Sequence, residues 1–302
     1  MKKVFKGVLI GALCLILAAA IVLGCMLFWH YPRFAANRRT LSIPAGDGAE
    51  NKIMSYNLRC LTPLDTGEKS WFYRADYILE DIGQEAPGII GFQEATRWQY
   101  DFLVESLPDY DSVITYRDDT FNSEGCPIFY HTGRYTLVDK GSFWLSETPE
   151  VMSKDWGSAC YRITSYVILT DNSTGKDLMV FNTHLDHVSD EARIKGMGVI
   201  LDKISQFGGL PAVIMGDLNA QEDSATITAA TEHFLDARYA AEETVDTYTY
   251  QNWGDMSAAR RIDYFMISQS GIRALRYAVL DQPRDGVWSS DHSPIVLTME
   301  LE

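Results

Sequence analysis

The stretch Gly88-Ile-Ile-Gly-Phe-Gln-Glu94 shows the pattern that decides the fold of this chain. Its apolar run predicts a short strand buried on both faces, which then opens onto an amide and a carboxylate. Polar clusters follow or interrupt apolar stretches in the same way at Ser55-Tyr56-Asn57, Asn182-Thr183-His184, Gly216-Asp217-Leu218-Asn219, Arg261-Ile262-Asp263-Tyr264 and Ser290-Asp291-His292. Together these clusters place acids, amides and imidazoles at the ends of buried strands.

Apolar periodicity predicts both helices and strands along the chain. Helices are predicted at 71–84, 97–107, 191–207 and 224–231. Strands are predicted at 52–57, 88–92, 110–116, 126–131, 135–145, 162–169, 178–184, 212–215, 261–268, 272–280 and 295–301. Helices alternate with strands in the first third, whereas hairpin-like pairs dominate the middle. We therefore predict an α/β (α+β) fold, a four-layer sandwich of two mixed β-sheets flanked by helices.

Residues 8–29 are almost entirely apolar, and roughly 20 such residues are enough to cross a bilayer. Three lysines precede this run, which favours a cytoplasmic N-terminus, although three arginines shortly after it weaken that orientation. A cleaved signal peptide is the rival interpretation, but its apolar region is usually about 7–15 residues long. We predict a short cytoplasmic N-terminus at 1–7, a transmembrane signal anchor at 8–29, a linker at 30–48 and a catalytic domain at 49–302.

The polar clusters supply the groups that a divalent cation and a phosphate require. A hard cation such as Mg²⁺ takes oxygen ligands, often only one or two protein carboxylates. We predict Glu94 as a metal ligand with Asn57 beside it, and Asp291 as a further oxygen donor. The alternatives are a helix N-terminal acid for Glu94 and a turn-forming side chain for Asn57. No Cys/His spacing suggests a zinc site.

Hydrolysis of a phosphoester also needs an activated water and charge neutralisation on the phosphoryl oxygens. Asp217 and Asn219 lie two apart on a segment predicted to be extended, so their side chains would share one face. Asp217 would polarise or deprotonate the water, and Asn219 would hold it or a phosphate oxygen. His292 is the predicted imidazole at the phosphate, and Asp263 is the carboxylate that orients it.

The order of these motifs over residues 52–300 resembles the endonuclease/exonuclease/phosphatase superfamily, which has a DNase-I-like fold. The stretches Gly141–Pro149 and Asn182–His187 resemble a bacterial branch of it. The resemblance implies Mg²⁺ or Mn²⁺ and hydrolysis of phosphodiesters or phosphomonoesters, with substrates that range over DNA, RNA, inositol phosphates and sphingomyelin. It therefore implies the chemistry better than the substrate.

His184 ends another predicted strand and would donate to the leaving oxygen or brace the phosphate. The resemblance adds two further residues, and it implies that Glu124 aligns loosely with an acid that supports this histidine. It also implies that Arg162 contacts phosphate, with a plain surface arginine as the alternative. The sequence departs from two branches of the superfamily. Asn219-Ala-Gln-Glu222 lacks the pattern that inositol phosphatases typically carry after their Gly-Asp, and the basic DNA-binding loops of repair endonucleases are not visible.

The charge distribution limits the kinds of substrate and binding partner that we expect for the protein. All 41 Asp and Glu lie after residue 40 together with 20 of the 26 Lys and Arg, so this part carries a formal charge of −21. Such a charge repels polyanions, and we expect no stable nucleic-acid partner. We predict a membrane-held, monomeric phosphodiesterase acting outside the cytoplasm on a lipid head group, nucleotide or other small phosphoester. A nuclease and a non-catalytic binding ectodomain are the alternatives.

Overall fold

The structure is a computed structural model that describes residues 2–46 and 48–302. The strands are β1 (Glu50–Asn57), β2 (Ile89–Gln93), β3 (Ala95–Thr96), β4 (Tyr110–Val113), β5 (Glu124–Gly125), β6 (Ile128–His131), β7 (Tyr135–Trp144), β8 (Ile163–Asp171), β9 (Lys176–His184), β10 (Ala212–Asp217), β11 (Phe234–Asp236), β12 (Glu243–Val245), β13 (Asp263–Ser268), β14 (Ile272–Val279) and β15 (Ile295–Leu301). The helices are α1 (Lys2–Phe28), α2 (Tyr31–Asn37), α3 (Trp71–Glu85), α4 (Arg97–Ser106), α5 (Asp190–Ser205), α6 (Ala225–Thr231) and α7 (Ala237–Ala240).

Two mixed sheets organise these elements. The seven-stranded sheet has the order β12-β14-β15-β1-β2-β6-β4, and the six-stranded sheet has the order β11-β13-β10-β9-β8-β7. Near the middle of each sheet two strands run parallel, β1 with β2 and β9 with β10. The short strands β3 and β5 form a separate antiparallel pair.

Three apolar clusters fill the spaces between four layers. One cluster lies between the sheets and joins residues such as Ile53 of β1 to Val213 of β10. A second lies under α3 and α4 on the outer face of the seven-stranded sheet. The third lies under α5 and α6 on the outer face of the six-stranded sheet. Burial on both faces explains the near-continuous apolar runs of the central strands, and the predicted four-layer sandwich is confirmed.

The sheet topology brings the polar strand ends to one edge. Asn57 pairs with Gln93 at the end of the first parallel pair, and Asp217 pairs with His184 at the end of the second. The two edges are joined, since Gln93 Nε2 donates to Asn182 Oδ1 over 2.6 Å. Below we call this shared edge of the sandwich the rim.

The segment before β1 packs on the domain. Phe34 of α2 contacts Phe72 and Phe102 with ring centroids 5.1 Å apart in both cases. Ile43 is buried, and its backbone N–H donates to Asp109 over 2.8 Å. The predicted linker at 30–48 is thus largely a docked segment, and the predicted domain bounds stay a prediction. Met1 and Asp47, which fall in the predicted N-terminus and linker, lie outside the described residues.

The predicted membrane helix coincides with most of α1. A helical stretch that begins at Leu9 is long and apolar enough to cross a membrane, and its most apolar 18 residues have a mean hydropathy of 2.8 and are not buried. The same length and composition also fit a signal sequence. An apolar N-terminal helix is therefore present, whereas membrane anchoring and its topology stay predictions.

Candidate active site

The rim gathers carboxylates from several strand ends around Asn57. Asn57 Nδ2 donates to Glu94 Oε1 over 3.2 Å and to Asp217 Oδ2 over 3.0 Å. Glu94 also accepts from the backbone N–H of Cys60 over 2.9 Å. A Thr96–Gln99 capping box starts α4 three residues after Glu94, whose own φ of 58° turns the chain out of β2. Asn57, Glu94 and Asp217 thus come together as predicted from their strand ends.

His292 lies between two of the carboxylates. Its Nδ1 is 2.9 Å from Asp263 Oδ2, and its Nε2 is 3.7 Å from Asp217 Oδ2. Burial alone would lower the pKa of His292, but the charges of Asp263 and Asp217 raise it to about 10. Burial and the neighbouring Asp263 raise the pKa of Asp217 to about 7. The predicted orientation of His292 by Asp263 is present, with a charged ring aimed at Asp217.

His184 also approaches Asp217, but the charged groups that shift the pKa of His184 are positive. Its Nε2 is 3.4 Å from Asp217 Oδ2. Burial and the charges of Arg162 and Arg117 lower the pKa of His184 well below its ordinary value, so the ring is neutral. We call Glu94, Asp217, Asp263, Asp291 and His292 the acidic half of the site, and Arg117, Arg162 and His184 the basic half.

The expected pairing of Glu124 with His184 is not made. Glu124 instead forms an ion pair with Arg117, with Oε2 and Nη1 2.7 Å apart. Glu124 still lies at the site, since it lines a small cleft together with Glu94, Arg162 and His184. Burial and the neighbouring Glu94 raise the pKa of Glu124 to about 7. The arginine takes the carboxylate because its fixed charge is a stronger donor than a neutral imidazole.

Arg162 is not a plain surface arginine. It is 5% exposed, and its Nε is buried without a hydrogen-bond partner. Its Nη2 lies 3.0 Å from His187 Nδ1, and its Nε lies 3.7 Å from Asp186 Oδ2. A buried guanidinium with spare donors beside His184 is suited to bind an anion.

The extended geometry predicted for Asp217 and Asn219 is wrong. Asp217 ends β10, and Asn219 adopts a left-handed conformation with a φ of 47°. The Asn219 side chain donates to the Leu185 carbonyl over 3.1 Å, while its N–H donates to Asp217 Oδ1 over 2.9 Å. Asn219 therefore orients Asp217 through its backbone and ties the loop after β9 to the site.

A close backbone approach explains the glycine before Asp217. Gly216 has a φ of 136°, and a Cβ there would lie 2.0 Å from the Thr183 carbonyl oxygen. Only glycine permits that approach between β10 and β9. The Gly-Asp order is thus required by the backbone that delivers Asp217 to the rim.

A family model named Endonuclease/Exonuclease/phosphatase family matches residues 54–292, which is most of the chain and contains every predicted site residue. The chain belongs to this family. It is a phosphoester hydrolase of the endonuclease/exonuclease/phosphatase type, and its mixed α/β architecture is the one that solved members share.

Two solved structures of family members cover nearly all of the domain. An endonuclease/exonuclease/phosphatase from Bacteroides vulgatus is 30% identical, with a TM-score of 0.79 over 84% of this chain and 99% of that one. A mannosyl-6-phosphatase from Bacteroides thetaiotaomicron is 30% identical, with a TM-score of 0.76 over 82% and 99%.

The curated relatives match only part of their own length. The 3'-5'-exoribonuclease subunit Ccr4 of the CCR4-Not complex from Schizosaccharomyces pombe is 26% identical over 201 residues, which are 55% of this chain and 29% of that protein. The chain spans 60% or less of the length of the curated relatives that it matches.

Family members generally use divalent metals, and the donor chemistry of this endonuclease/exonuclease/phosphatase domain fits one. Among the described residues, Asp217, Asp263 and His292 offer ligand atoms within 4.8 Å of one another. Since His292 already bonds Asp263 and a hard cation prefers oxygen, we interpret this triad as a proton-handling group. Burial and the charge of Glu94 raise the pKa of Asp291. A bound cation would reduce this repulsion between the two carboxylates. The ligand roles of Glu94, Asn57 and Asp291 stay a prediction.

Sequence reasoning missed three arginines of this family site. Arg59 has a φ of 54°, binds Asp65 through Nε over 2.9 Å, and places Nη1 3.9 Å from Asp291. Arg74 is fully buried under the loops of the acidic half. Arg117 joins the basic half from the loop before β5. The only sequence signal for Arg74 was its position inside the apolar stripe of α3. Its hydrogen-bond partners are backbone carbonyls of other loops, which no sequence pattern identifies.

Proposed function

We propose that the protein is a divalent-metal-dependent phosphodiesterase, held to the cell membrane by α1, whose catalytic domain acts outside the cytoplasm. Its substrate is a lipid head group, a nucleotide or another small phosphoester. The observation that carries the proposal is the placement of Asp217, whose Oδ2 is approached by Asn57 at 3.0 Å, His184 at 3.4 Å and His292 at 3.7 Å.

Each side chain has a task in hydrolysis. Asp217, with a pKa raised by burial and Asp263 to about 7, accepts a proton from the attacking water. His292, charged and held by Asp263, donates from Nε2 to a phosphoryl oxygen. Arg162 and His184 bind the phosphoryl group from the other side. A bound Mg²⁺ or Mn²⁺, held by Glu94, Asn57 and Asp291, would supply charge neutralisation at the phosphoryl oxygens.

The test is turnover of bis-p-nitrophenyl phosphate by the full chain in detergent, with Mg²⁺, with Mn²⁺ and with EDTA. We expect turnover that depends on the added metal and is lost in His292→Gln. Absence of metal-dependent turnover, with binding of phosphoesters retained, would instead favour a non-catalytic ectodomain.

A phosphomonoesterase is the second candidate, favoured by the 30% identity to a mannosyl-6-phosphatase. Comparing kcat/KM for p-nitrophenyl phosphate and bis-p-nitrophenyl phosphate separates the two. A nuclease is the third, favoured by the likeness to an exoribonuclease subunit. The charge of the domain predicts weak cleavage of oligonucleotides, and robust cleavage at physiological salt would overturn that prediction.

The membrane tether is tested separately from the chemistry. In cells that express the full chain, we expect it to resist extraction with alkaline carbonate and to be cleaved by protease added outside the intact membrane. Release into the soluble fraction as a shortened chain would show that α1 is a cleaved signal sequence.

A further inference from the structure

The end of α1 lies against the first turns of two domain helices. The Phe28 ring stacks on Phe72 with centroids 5.4 Å apart and meets Trp98 edge-on at 5.9 Å. Phe72 is the second residue of α3, and Trp98 is the second residue of α4. The apolar helix therefore leaves the domain where these two helices begin.

Those first turns lie at the rim. Because β1 and β2 are parallel neighbours, the helix α3 that links them must run back, so it starts near the strand end that carries Asn57. Helix α4 starts three residues after Glu94. The point where α1 meets the domain is thus at the same end of the sandwich as the active site.

The contacts of α2 and of the segment after it show independently that the chain enters the domain at the rim. Arg33 binds the Tyr73 carbonyl and Asp76 near the start of α3, whereas Arg39 lies 3.6 Å from Glu80 further along it. Leu41 then donates its N–H to the Ser106 carbonyl at the far end of α4 over 2.8 Å. The chain enters at the rim and runs away from it along the helical layer.

The loops around the active site carry exposed apolar side chains. Phe121 is 93% exposed and Leu64 is 79% exposed, the two highest values among the large apolar side chains of the described residues. Leu64 lies in the loop after Asn57, and Phe121 lies three residues before Glu124. Trp29 and Trp98 are exposed at the end of α1 and the start of α4. We call these four residues the apolar rim.

Hydrogen bonds join the elements that carry the apolar rim. Asn122 Nδ2 donates to the Leu61 carbonyl over 3.2 Å, which links the Phe121 loop to the Leu64 loop. Leu61 N–H donates to Gln99 Oε1 over 3.0 Å, which links the Leu64 loop to α4. These loops are therefore presented together.

We propose that the apolar rim rests in the interfacial layer of the membrane that α1 crosses, so that the active site faces the lipid surface and hydrolyses a lipid-borne phosphoester. This inference rests on the proposed function and narrows its substrate class. Singly exposed apolar residues are ordinary, but here they lie on linked loops next to site residues and at the helix starts where the membrane helix leaves. Aromatic side chains are favoured at the level of lipid head groups.

The first test maps contact with lipid. The full chain is reconstituted in phosphatidylcholine vesicles that contain a phosphatidylcholine with a photoactivatable diazirine near the top of an acyl chain. We expect cross-links in the peptides that contain Leu64 and Phe121 as well as in α1. The peptide with Val138, which is 57% exposed on β7, is the matched control and should stay unmodified. Cross-links confined to α1 would overturn the proposal.

The second test separates lipid access from chemistry. The double variant Leu64→Ser/Phe121→Ser should hydrolyse hexadecyl p-nitrophenyl phosphate in vesicles about ten-fold more slowly, while its turnover of bis-p-nitrophenyl phosphate is unchanged. Val138→Ser should leave both activities intact. Equal changes on the two substrates, or none, would overturn the proposal. No turnover of either substrate by the unmodified protein would refute the proposed function, while the cross-linking result would still decide lipid contact.

Discussion

The acidic half and the basic half of the site each contain one buried histidine. The neighbours of His292 are carboxylates, whereas those of His184 include two arginines. His292 is 2.9 Å from Asp263, and the carboxylates around it raise its pKa to about 10. His184 is equally buried, but burial and the charges of Arg162 and Arg117 lower its pKa. The comparison shows that the neighbouring charges, rather than burial, decide which histidine carries a proton at neutral pH.

Asp217 is the member of the acidic half that meets the basic half. Both imidazoles approach its Oδ2, His184 at 3.4 Å and His292 at 3.7 Å. The charged ring stabilises the carboxylate from one side, while the neutral ring places no charge on the other. A phosphoryl group bound here would meet a charged donor in the acidic half and guanidinium groups in the basic half.

The largest effect is expected where the halves meet. Asp217→Asn keeps the shape of the side chain but removes the proton acceptor, so kcat should fall by about 10³-fold. Steady-state turnover of bis-p-nitrophenyl phosphate measures it, with circular dichroism to verify the fold. Asp223→Asn, at an exposed acid six residues on, should leave kcat unchanged. A ten-fold effect or less in Asp217→Asn would mean that another group accepts the proton.

A second prediction concerns the support of the acidic half. Arg74 donates to the carbonyls of Leu58, Ser289 and Arg59 over 2.6, 2.8 and 2.7 Å, and to that of Lys69 over 3.0 Å. Arg74→Met removes the side-chain donor from the Leu58 and Ser289 carbonyls, whereas the Arg59 carbonyl keeps Gln99 Nε2 as a donor over 2.9 Å, so the free energy of unfolding should fall by about 3 kcal/mol. Activity should fall as well, because Ser289 leads into Asp291 and His292.

Thermal unfolding of the full chain in detergent measures the change in Arg74→Met. The control is Arg276→Met, at a half-exposed arginine of β14 that pairs only loosely with Glu243. It should cost less than about 0.5 kcal/mol. Similar losses in the two variants would show that Arg74 has no special part in holding the acidic half.

The acidic half was largely predictable from the sequence, because its residues stand at the ends of buried strands. Apolar runs indicated where β1, β2 and β10 lie, and the parallel pairing of such strands brings Asn57, Glu94 and Asp217 to one edge. The helices α3, α4 and α5 were also found within two residues, since each has a clear apolar stripe.

The basic half was less predictable, because its contacts depend on loops. Glu124 was predicted to pair with His184, whereas Arg117, seven residues earlier in the loop before β5, takes its carboxylate. Asparagine is enriched in the left-handed conformation that Asn219 adopts, but most asparagines do not adopt it, so the residue type alone did not predict this turn. Short elements such as α2, β11 and β12 gave no periodic signal, since three to seven residues are too few to show one.

A third prediction sharpens the comparison from the basic side. Arg162→Met removes the buried guanidinium whose Nε has no partner, so kcat/KM should fall about 30-fold through loss of charge-assisted hydrogen bonds to the phosphoryl group. Arg162→Lys keeps the charge and should recover part of the loss, mainly in KM. If Arg162→Met changed only thermal stability, the arginine would be structural and the basic half would not bind substrate.

The smallest effect concerns the acid that balances the basic half. Burial would raise the pKa of Asp186, but N–H donors of Ser189 and Val188, the Ser158 hydroxyl and the Arg162 charge lower it to about 2. Since its unfolded pKa is about 3.9, the carboxylate stabilises the fold above pH ~4, and this stabilisation is lost as the pH falls toward 2.

Asp186→Asn should therefore lower the free energy of unfolding by about 1 kcal/mol at pH 6, after allowance for solvent screening. The difference from the unmodified protein should shrink as the pH falls from about 4 to 2, because both then lack the charge. Thermal unfolding across this pH range measures it, with the exposed Asp202→Asn as control. A difference that does not change with pH would mean that Asp186 acts only as a hydrogen-bond acceptor, which an amide also provides. Some other group would then balance the charge of Arg162. The difference in charge between the two halves would be smaller than the 3.7 Å between Arg162 Nε and Asp186 Oδ2 implies.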